Sequence, residues 1–230
     1  MSNLLISGSD TNAGKTVVTS ALMAYQQKYL AQQRWAICKP LQSGTGDREH
    51  YQQLFDLSQP PETINPLHFQ HPLAPPVAAD LEGRNIDLEL AWQAIKTLQQ
   101  SHDHVLVEGL GGLGSPVTRE LIVADLARDW RLPTLLIIPV QLGAIGQAVA
   151  NVALARQQQV VVQGIILNAT TPLSPEQLDH WTPIELLQNL TQTPVLGIMP
   201  CLDDPDDLEA LAQAASELHL ESLLPSLVGI

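Results

Sequence analysis

The chain has 230 residues, of which 11 are basic and 24 acidic, giving a formal net charge of −13. Such an acidic surface repels the phosphates of nucleic acids and of anionic membranes, so we expect neither as a partner. The N-terminus lacks a basic segment followed by an apolar one, and no apolar run approaches 18 residues, which predicts a cytoplasmic protein. Because 45% of the residues are hydrophobic, a chain of this length can bury one core, and we predict a single domain over residues 1–230.

Short apolar runs rich in β-branched residues predict buried strands, and the segments between them have the length and pattern of helices. In chain order we predict strand Leu4–Ser7, helix Lys15–Leu30, strand Trp35–Lys39, helix Arg48–Leu57, helix Leu88–Gln99, strand Val105–Glu108, helix Glu120–Trp130, strand Thr134–Val140, helix Ile145–Gln157, strand Val160–Asn168, helix Pro175–Leu190, strand Pro194–Met199 and helix Asp206–Leu218. Strands that alternate with helices are typical of a doubly wound α/β fold. We therefore predict three layers, with a mostly parallel sheet flanked by helices on both faces.

The loop from Gly8 to Thr16 follows the first predicted strand and runs into a helix, which is the context of a phosphate-binding loop, or P-loop. Its small residues let backbone N–H groups point at an anion, and the helix start adds partial positive charge. Lys15 is expected to neutralise β and γ phosphate oxygens, and the Thr16 hydroxyl to bind Mg²⁺. The strict GxxxxGK[ST] spacing would put glycine at Ser9, so the loop is a variant. We favour a nucleotide site over an ordinary strand-to-helix turn.

Polar residues also follow the second predicted strand. Lys39 and Ser43 are expected at the carboxyl edge of the sheet, the edge at which the phosphate loop lies and at which α/β sheets bind ligands. A lysine at a strand end is, taken alone, more often a surface residue. Asp47 begins the next predicted helix, and the residues alone predict only an N-cap there.

The third predicted strand ends in Glu108 and is followed by Gly109, Gly111 and Gly112. A carboxylate beside a buried strand is costly unless it meets a cation, and in a protein with a phosphate loop that cation is Mg²⁺. The glycines would allow close approach to the γ-phosphate. The alternative is an exposed glutamate at a strand end, and we favour the metal role.

Other features of the sequence favour structural roles. Residues 59–84 contain six prolines and no clear period, which predicts a long irregular connection. Cys38 and Cys201 lie far apart in apolar surroundings, so we predict two buried thiols and no metal or redox pair. His102 and His104 precede a predicted strand, and their spacing favours a solvated turn over a metal site.

Taken together, these motifs resemble the dethiobiotin synthetases over most of the chain. The matching pieces are Gly8–Thr16, Lys39-Pro40 with Ser43-Gly44, Glu82-Gly83-Arg84, Val107-Glu108-Gly109 with Gly111-Gly112, and Leu142-Gly143 with Ile145. The resemblance implies an ATP-dependent cyclo-ligase of biotin biosynthesis, built on one catalytic P-loop domain. It would convert 7,8-diaminopelargonic acid, CO₂ and ATP into dethiobiotin, ADP and phosphate through a carbamate and a carbamic–phosphoric anhydride. It also implies that Asp47 joins Thr16 and Glu108 around Mg²⁺, which replaces the capping interpretation.

The resemblance further implies a role for each matching residue. Catalysis would use Lys39, Lys15 and Thr11, and the substrate would contact Ser43, Thr11, Leu142 and Gly143. The nucleotide would contact Asn12, Ala13, Gly14, Lys15, Thr16, Val17, Asp47, Glu108, Gly109, Leu110, Gly111, Asn168, Ala169, Pro200, Cys201 and Leu202, with the adenine near Asn168 and Pro200–Leu202.

Members of the family form homodimers. The resemblance implies that the substrate carboxylate lies at a helix start of the partner subunit, here Leu142–Gly146. A helix N-terminus suits a carboxylate because its free N–H groups and dipole favour an anion. The chain departs from the family pattern at Ala144 and Gly146, where hydroxyl, thiol or asparagine side chains are common. Gln141 stands where a lysine can occur, and Pro76 replaces a frequent histidine. Backbone donors survive these changes, whereas side-chain donors do not, so the changes bear on substrate affinity.

Two other classes share this fold. Partitioning and localisation ATPases use it as a nucleotide-dependent switch, but they carry a second lysine early in the phosphate loop, where this chain has Asp10. Amidotransferases that act on cobalt-corrin precursors have a similar ATP-binding part, but they need an attached glutaminase domain for which 230 residues leave no room. We rank both classes below the synthetase.

Overall fold

The short apolar runs of the sequence form the buried strands of a parallel sheet. The structure is a computed structural model that describes residues 2–223. Its elements, in chain order, are β1 (Ser2–Gly8), α1 (Lys15–Tyr29), β2 (Trp35–Cys38), β3 (Leu41–Ser43), α2 (Asp47–Leu54), α3 (Pro61–Ile64), β4 (Leu67–Phe69), α4 (Pro75–Glu82), α5 (Leu88–Ser101), β5 (His104–Gly112), α6 (Val123–Asp129), β6 (Thr134–Pro139), α7 (Ala144–Gln157), β7 (Val162–Asn168), α8 (Pro175–Trp181), α9 (Ile184–Thr191), β8 (Val195–Met199), α10 (Leu208–Ser216) and a 3₁₀ turn (Leu220–Ser222).

The main sheet has six strands in the order β2-β5-β1-β6-β7-β8, and its strand pairings within the described residues are parallel. β1 lies between β5 and β6, and Gly8 at its end pairs with Gly112 and Ile137. The loops that follow the parallel strands therefore leave from one edge of the sheet, where ligands of such folds bind.

The two faces of the sheet pack against different helices, because successive residues of a strand point to opposite faces. In β1, Leu4 and Ile6 belong to a core cluster with α1 and α10, whereas Leu5 belongs to a cluster with α5 and α6. Leu136 and Ile138 of β6 pack with α7 and α9. The predicted three-layer α/β fold is confirmed.

The proline-rich stretch 59–84 is not the irregular connection that we predicted. It contains α3, β4 and α4, and β4 pairs with β3 in a second, two-stranded parallel sheet. Pro61 and Pro75 occupy the first turns of α3 and α4. A proline is tolerated there because its missing N–H has no partner within the helix at that position. The prediction was wrong because two of the prolines begin helices, and elements as short as these show no clear period.

Most predicted helices differ from the observed ones by a few residues at their ends, and two of these differences have a local cause. The helix predicted at Glu120–Trp130 begins at Val123, because the N–H of Ile122 donates to a side-chain carboxylate instead. The helix predicted at Pro175–Leu190 is two helices, α8 and α9, separated at Pro183, which lacks the N–H needed to continue the first. Within residues 2–223, no helix combines the length and the apolarity needed to cross a bilayer.

Two expectations about single side chains also need correction. Cys38 is buried as predicted, but Cys201 is only partly buried. His102 and His104 are 5% and 6% exposed, so they do not form a solvated turn. The Nδ1 atom of His102 lies 3.1 Å from a backbone carbonyl oxygen of α5, and the ring centroid of His104 lies 5.1 Å from that of Trp35. The prediction was wrong because these rings pack at the start of β5.

Candidate active site

The phosphate loop runs from the end of β1 into α1, and its path requires two glycines. Gly14 has a φ of 87°, and a Cβ atom there would lie 1.9 Å from Nδ2 of Asn168. That nitrogen donates to the carbonyl oxygen of Ala13 at 2.9 Å, so Asn168 braces the loop from the end of β7. A Cβ atom at Gly8 would lie 2.6 Å from a backbone carbonyl oxygen of the loop. The glycine at position 8 thus permits the tight start of this variant loop.

Lys15 bends back over the phosphate loop. Its Nζ atom donates to the carbonyl oxygens of Asp10 and Thr11, each at 3.1 Å. Burial lowers the pKa of Lys15 to about 8, although the nearby carboxylate of Glu108 opposes this shift. A poorly hydrated ammonium group whose hydrogen-bond partners are neutral carbonyls gains strongly from a phosphate anion. The loop therefore has the electrostatic character of an anion site.

Three oxygen-bearing side chains converge beside the loop. The Oγ1 atom of Thr16 lies 3.1 Å from Oδ1 of Asp47 and 3.2 Å from Oε1 of Glu108. Asp47 is the first residue of α2, whose N-cap is Gly46, and Glu108 is fully buried in β5. Two carboxylates and a hydroxyl are oxygen ligands of the kind that Mg²⁺ prefers, so these residues fit a Mg²⁺ ion.

Lys39 contributes a positive charge to this acidic group. Its Nζ atom donates to Oε1 of Glu108 at 2.7 Å and also to Asp47. Burial by itself lowers the pKa of Lys39, but the charges of Glu108 and Asp47 outweigh it, and the pKa lies above its ordinary value. The ammonium group therefore stays protonated. Its flexible stem allows it to exchange these carboxylates for the oxygens of a bound anion.

Tyr51 belongs to the same network, and the sequence reasoning missed it. The side chain is fully buried on α2, and its hydroxyl donates to Oε2 of Glu108, while Oε1 contacts Thr16 and Lys39. Burial and then the charge of Glu108 raise the pKa of Tyr51 well above its ordinary value, so the phenol remains a donor. The available signal was the spacing, because Tyr51 follows Asp47 by four residues and so shares one face of a helix with it.

A cleft of about 880 Å³ is lined by Lys15, Thr16, Lys39, Asp47 and Glu108, whereas Tyr51 lies outside its lining. Its lining includes the phosphate loop with Glu108, Ser115 and Pro116, and also the segment Pro72–Pro75. The predicted site residues that line the cleft are Thr11, Asn12, Gly14, Lys15, Thr16, Lys39, Ser43, Asp47, Glu108, Leu110 and Gly111.

Ser43, at the end of β3, lines this cleft and has an unpaired hydroxyl group. Its Oγ atom is buried and has no hydrogen-bond partner within the described part of the chain. An unpaired buried hydroxyl costs about 1–3 kcal/mol, and a polar ligand group in the cleft would remove that cost. The arrangement is therefore suited to hydrogen-bond a substrate.

Other predicted site residues do not line this cleft. They are Ala13, Val17, Gly109, Leu142, Gly143, Asn168, Ala169, Pro200, Cys201 and Leu202. Leu142 is 76% exposed, and Gly143, with a φ of 91°, is the N-cap of α7. Ser9 donates from Oγ to Oε1 of Gln147 at 3.0 Å and so connects the first turn of α7 to the phosphate loop.

The fold and the loop define a P-loop nucleotide-binding protein, and comparisons with known proteins agree. The model of the AAA domain family matches residues 2–208. The cell division protein MinD of Aquifex aeolicus has a TM-score of 0.57 at 13% identity, covering 100% of this chain and 98% of that one. MinD of Pyrococcus horikoshii, solved with Mg-ADP, has a TM-score of 0.55 at 16% identity, covering 93% and 86%. At such identities the likeness shows the fold alone.

The comparison of sequences, unlike that of structures, identifies a particular enzyme family. The ATP-dependent dethiobiotin synthetase of Gloeothece citriformis is 57% identical over 98% of this chain and 100% of its own length. The corresponding enzyme of Bacillus subtilis is 30% identical over the full length of both chains. The chain therefore belongs to the ATP-dependent dethiobiotin synthetases, the family that its motifs resemble.

Proposed function

We propose that this enzyme closes the ureido ring of dethiobiotin from 7,8-diaminopelargonic acid, CO₂ and ATP, releasing ADP and phosphate, as a step of biotin biosynthesis. The observation that carries the proposal is the 57% identity, over nearly the whole chain, to a relative named ATP-dependent dethiobiotin synthetase. The cleft supports it, because Lys15, Lys39 and the unused hydroxyl of Ser43 all line it.

On the nucleotide side, the N–H groups of the loop and Lys15 would hold the phosphates of ATP. Thr16, Asp47 and Glu108 would hold Mg²⁺, which when bound neutralises charge on phosphate oxygens. We assign the rest of the nucleotide site to Asn12, Ala13, Gly14, Val17, Gly109, Leu110, Gly111, Asn168, Ala169, Pro200, Cys201 and Leu202. The brace from Asn168 to Ala13 supports this assignment, because it connects the end of β7 to the phosphate loop.

On the substrate side, one amine of the diamine takes up CO₂ and becomes a carbamate. A carbamate oxygen attacks the γ-phosphorus of ATP, ADP leaves, and the second amine then attacks the carbonyl carbon of the anhydride and displaces phosphate. Lys39 would leave its carboxylate partners to stabilise the charge that develops on these oxygens, a contribution of about 3 kcal/mol for one well-placed donor. Ser43 and Thr11 would orient the carbamate and the amines.

We also propose a homodimer in which Leu142 and Gly143 at the start of α7 bind the carboxylate of a substrate held by the partner subunit. The exposed side of α7 supports this, because Gly146, Val149, Ala150 and Ala153 present small or apolar residues there. With alanine at position 144 and glycine at 146, only backbone N–H groups would bind the carboxylate in that turn. Residues 1–230 would act as one catalytic domain.

The test is phosphate release by the purified protein with Mg-ATP and bicarbonate, measured with and without 7,8-diaminopelargonic acid, with dethiobiotin identified by mass. Release that depends on the diamine and matches dethiobiotin in amount supports the proposal. Nucleotide binding without such turnover would leave the P-loop site in place and reject the substrate.

A further inference from the structure

The motif Glu82-Gly83-Arg84 matches the family pattern, but none of its residues lines the cleft. Glu82 ends α4, and its side chain is only 11% exposed. Its Oε1 atom accepts the backbone N–H of Gln70 at 2.7 Å and that of His71 at 3.2 Å. One carboxylate oxygen thus holds two consecutive amides of the segment that follows β4.

Arg84 holds the same segment from its other end. Gly83 has a φ of 61°, a left-handed turn that favours glycine and directs the chain back toward β4. Nη1 of Arg84 donates to the carbonyl oxygen of His68 at 2.6 Å and lies 3.2 Å from Oε2 of Glu82. The guanidinium carbon lies 4.8 Å from the ring centroid of the fully buried Phe69. The side chains of Glu82 and Arg84 therefore both contact residues 68–71.

Residues 68–72 in turn contact the part of the cleft that carries Ser43. Ser43 pairs with Phe69 in the small sheet, and the N–H of Gly44 donates to the carbonyl oxygen of Phe69 at 2.8 Å. Nε2 of His68 lies 2.8 Å from the carbonyl oxygen of Gly44. A Cβ atom at Gly44 would lie 3.0 Å from Cβ of Pro72, so the two segments are in close contact. A shift of residues 68–72 would move Ser43 and the wall Pro72–Pro75.

We infer that Glu82 and Arg84 are positioning residues for the amine substrate: they hold residues 68–75 so that Ser43 and the wall Pro72–Pro75 keep their places in the cleft. The inference rests on the proposed function for the identity of the substrate. Burial alone cannot hold this segment in place, because residues 71–74 are exposed. The phosphate loop and Glu108, which we call the nucleotide wall, follow strands of the main sheet. Among residues 2–223, no hydrogen bond or ion pair joins this wall to the side chains of Glu82 or Arg84.

The kinetic test replaces Glu82 with Ala, which removes both amide contacts. We expect the KM for the diamine to rise about tenfold while the KM for ATP stays within about twofold, because one charge-assisted contact of this kind changes a local equilibrium by that order. Arg84→Lys keeps the charge but loses the planar group over Phe69, and it should raise the diamine KM about threefold. The matched control is Asp80→Ala, on the same helix, which loses an exposed ion pair with Arg119 and should leave both KM values unchanged.

A structural readout separates this inference from the proposed reaction. Hydrogen exchange in the free protein should become about tenfold faster at the amides of Gln70 and His71 in Glu82→Ala, and stay unchanged in Asp80→Ala. Unchanged exchange at these amides would overturn the inference that Glu82 holds residues 70 and 71, whatever the turnover. Equal rises in the KM for the diamine and for ATP would overturn its specificity for the substrate wall. Absence of diamine-dependent turnover in the unmodified enzyme would reject the proposed function. The exchange rates would still decide whether Glu82 holds residues 70 and 71.

Discussion

The two walls of the cleft are held in place by different kinds of contact. The nucleotide wall follows strands of the main sheet. The side chains of Lys39 and Glu108 are buried there, and so is Tyr51 of α2. The substrate wall, Pro72–Pro75 with Ser43, is held by the short elements β3, β4 and α4, and residues 71–74 are exposed. Changes in the first wall should therefore affect chemistry and folding together, whereas changes in the second should affect substrate binding alone.

The largest effect is expected for Lys39→Ala. Loss of the cation should lower kcat by about 10²- to 10³-fold. It also leaves the buried carboxylate of Glu108 without its ammonium partner, which should lower the free energy of unfolding by about 3 kcal/mol or more when no metal is present. Phosphate release and urea unfolding measure the two effects, with the exposed Lys96→Ala as control. A wild-type turnover rate would remove Lys39 from the catalytic assignment.

A smaller effect is expected for Tyr51→Phe, which removes the hydroxyl that contacts Oε2 of Glu108. If this contact orients Glu108 for Mg²⁺, the Mg²⁺ concentration needed for half-maximal nucleotide binding should rise about 10- to 100-fold. The control is Thr191→Val, which removes a buried hydroxyl from α9, far along the chain from this network. An equal change in both variants would mean that general loss of stability, not orientation of Glu108, causes the effect.

The smallest effect belongs to the substrate wall. Ser43→Ala removes a hydroxyl that has no partner in the free protein, so the free energy of unfolding should stay the same or rise slightly. The KM for the diamine should rise about tenfold, since the substrate loses one hydrogen bond. Steady-state kinetics and thermal unfolding test both statements, with the exposed neighbour Thr45→Ala as control. A clear loss of stability would show that the hydroxyl has a structural partner.

The contrast between the walls also explains what the sequence could predict. The nucleotide wall follows from local patterns: a strand, a glycine loop and a helix around Lys15, and a carboxylate at the end of an apolar strand at Glu108. The structure brings these residues together because parallel strands end at one edge of the sheet. Tyr51 was missed because a buried aromatic residue on a helix normally indicates core packing, and only its spacing from Asp47 pointed to the site.

The substrate wall was harder to predict because its order comes from contacts between distant residues. Strands of three residues, such as β3 and β4, are too short to show a period, and Pro61 and Pro75 hid the helices that they begin. The unused hydroxyl of Ser43 depends on what lies around it in space, which no local pattern encodes. The carboxylate site at Leu142–Gly146 stays a prediction.

The central claim is that a carbamate oxygen of the substrate attacks ATP in this cleft. It is tested most directly with ¹⁸O-labelled bicarbonate, Mg-ATP and the diamine, by mass analysis of the phosphate released in the first turnovers. The proposed chemistry predicts phosphate that carries an ¹⁸O atom, because the carbamate oxygen that attacks the γ-phosphorus leaves with it when the ring closes. Unlabelled phosphate would mean that water attacks ATP, and it would contradict the proposed chemistry.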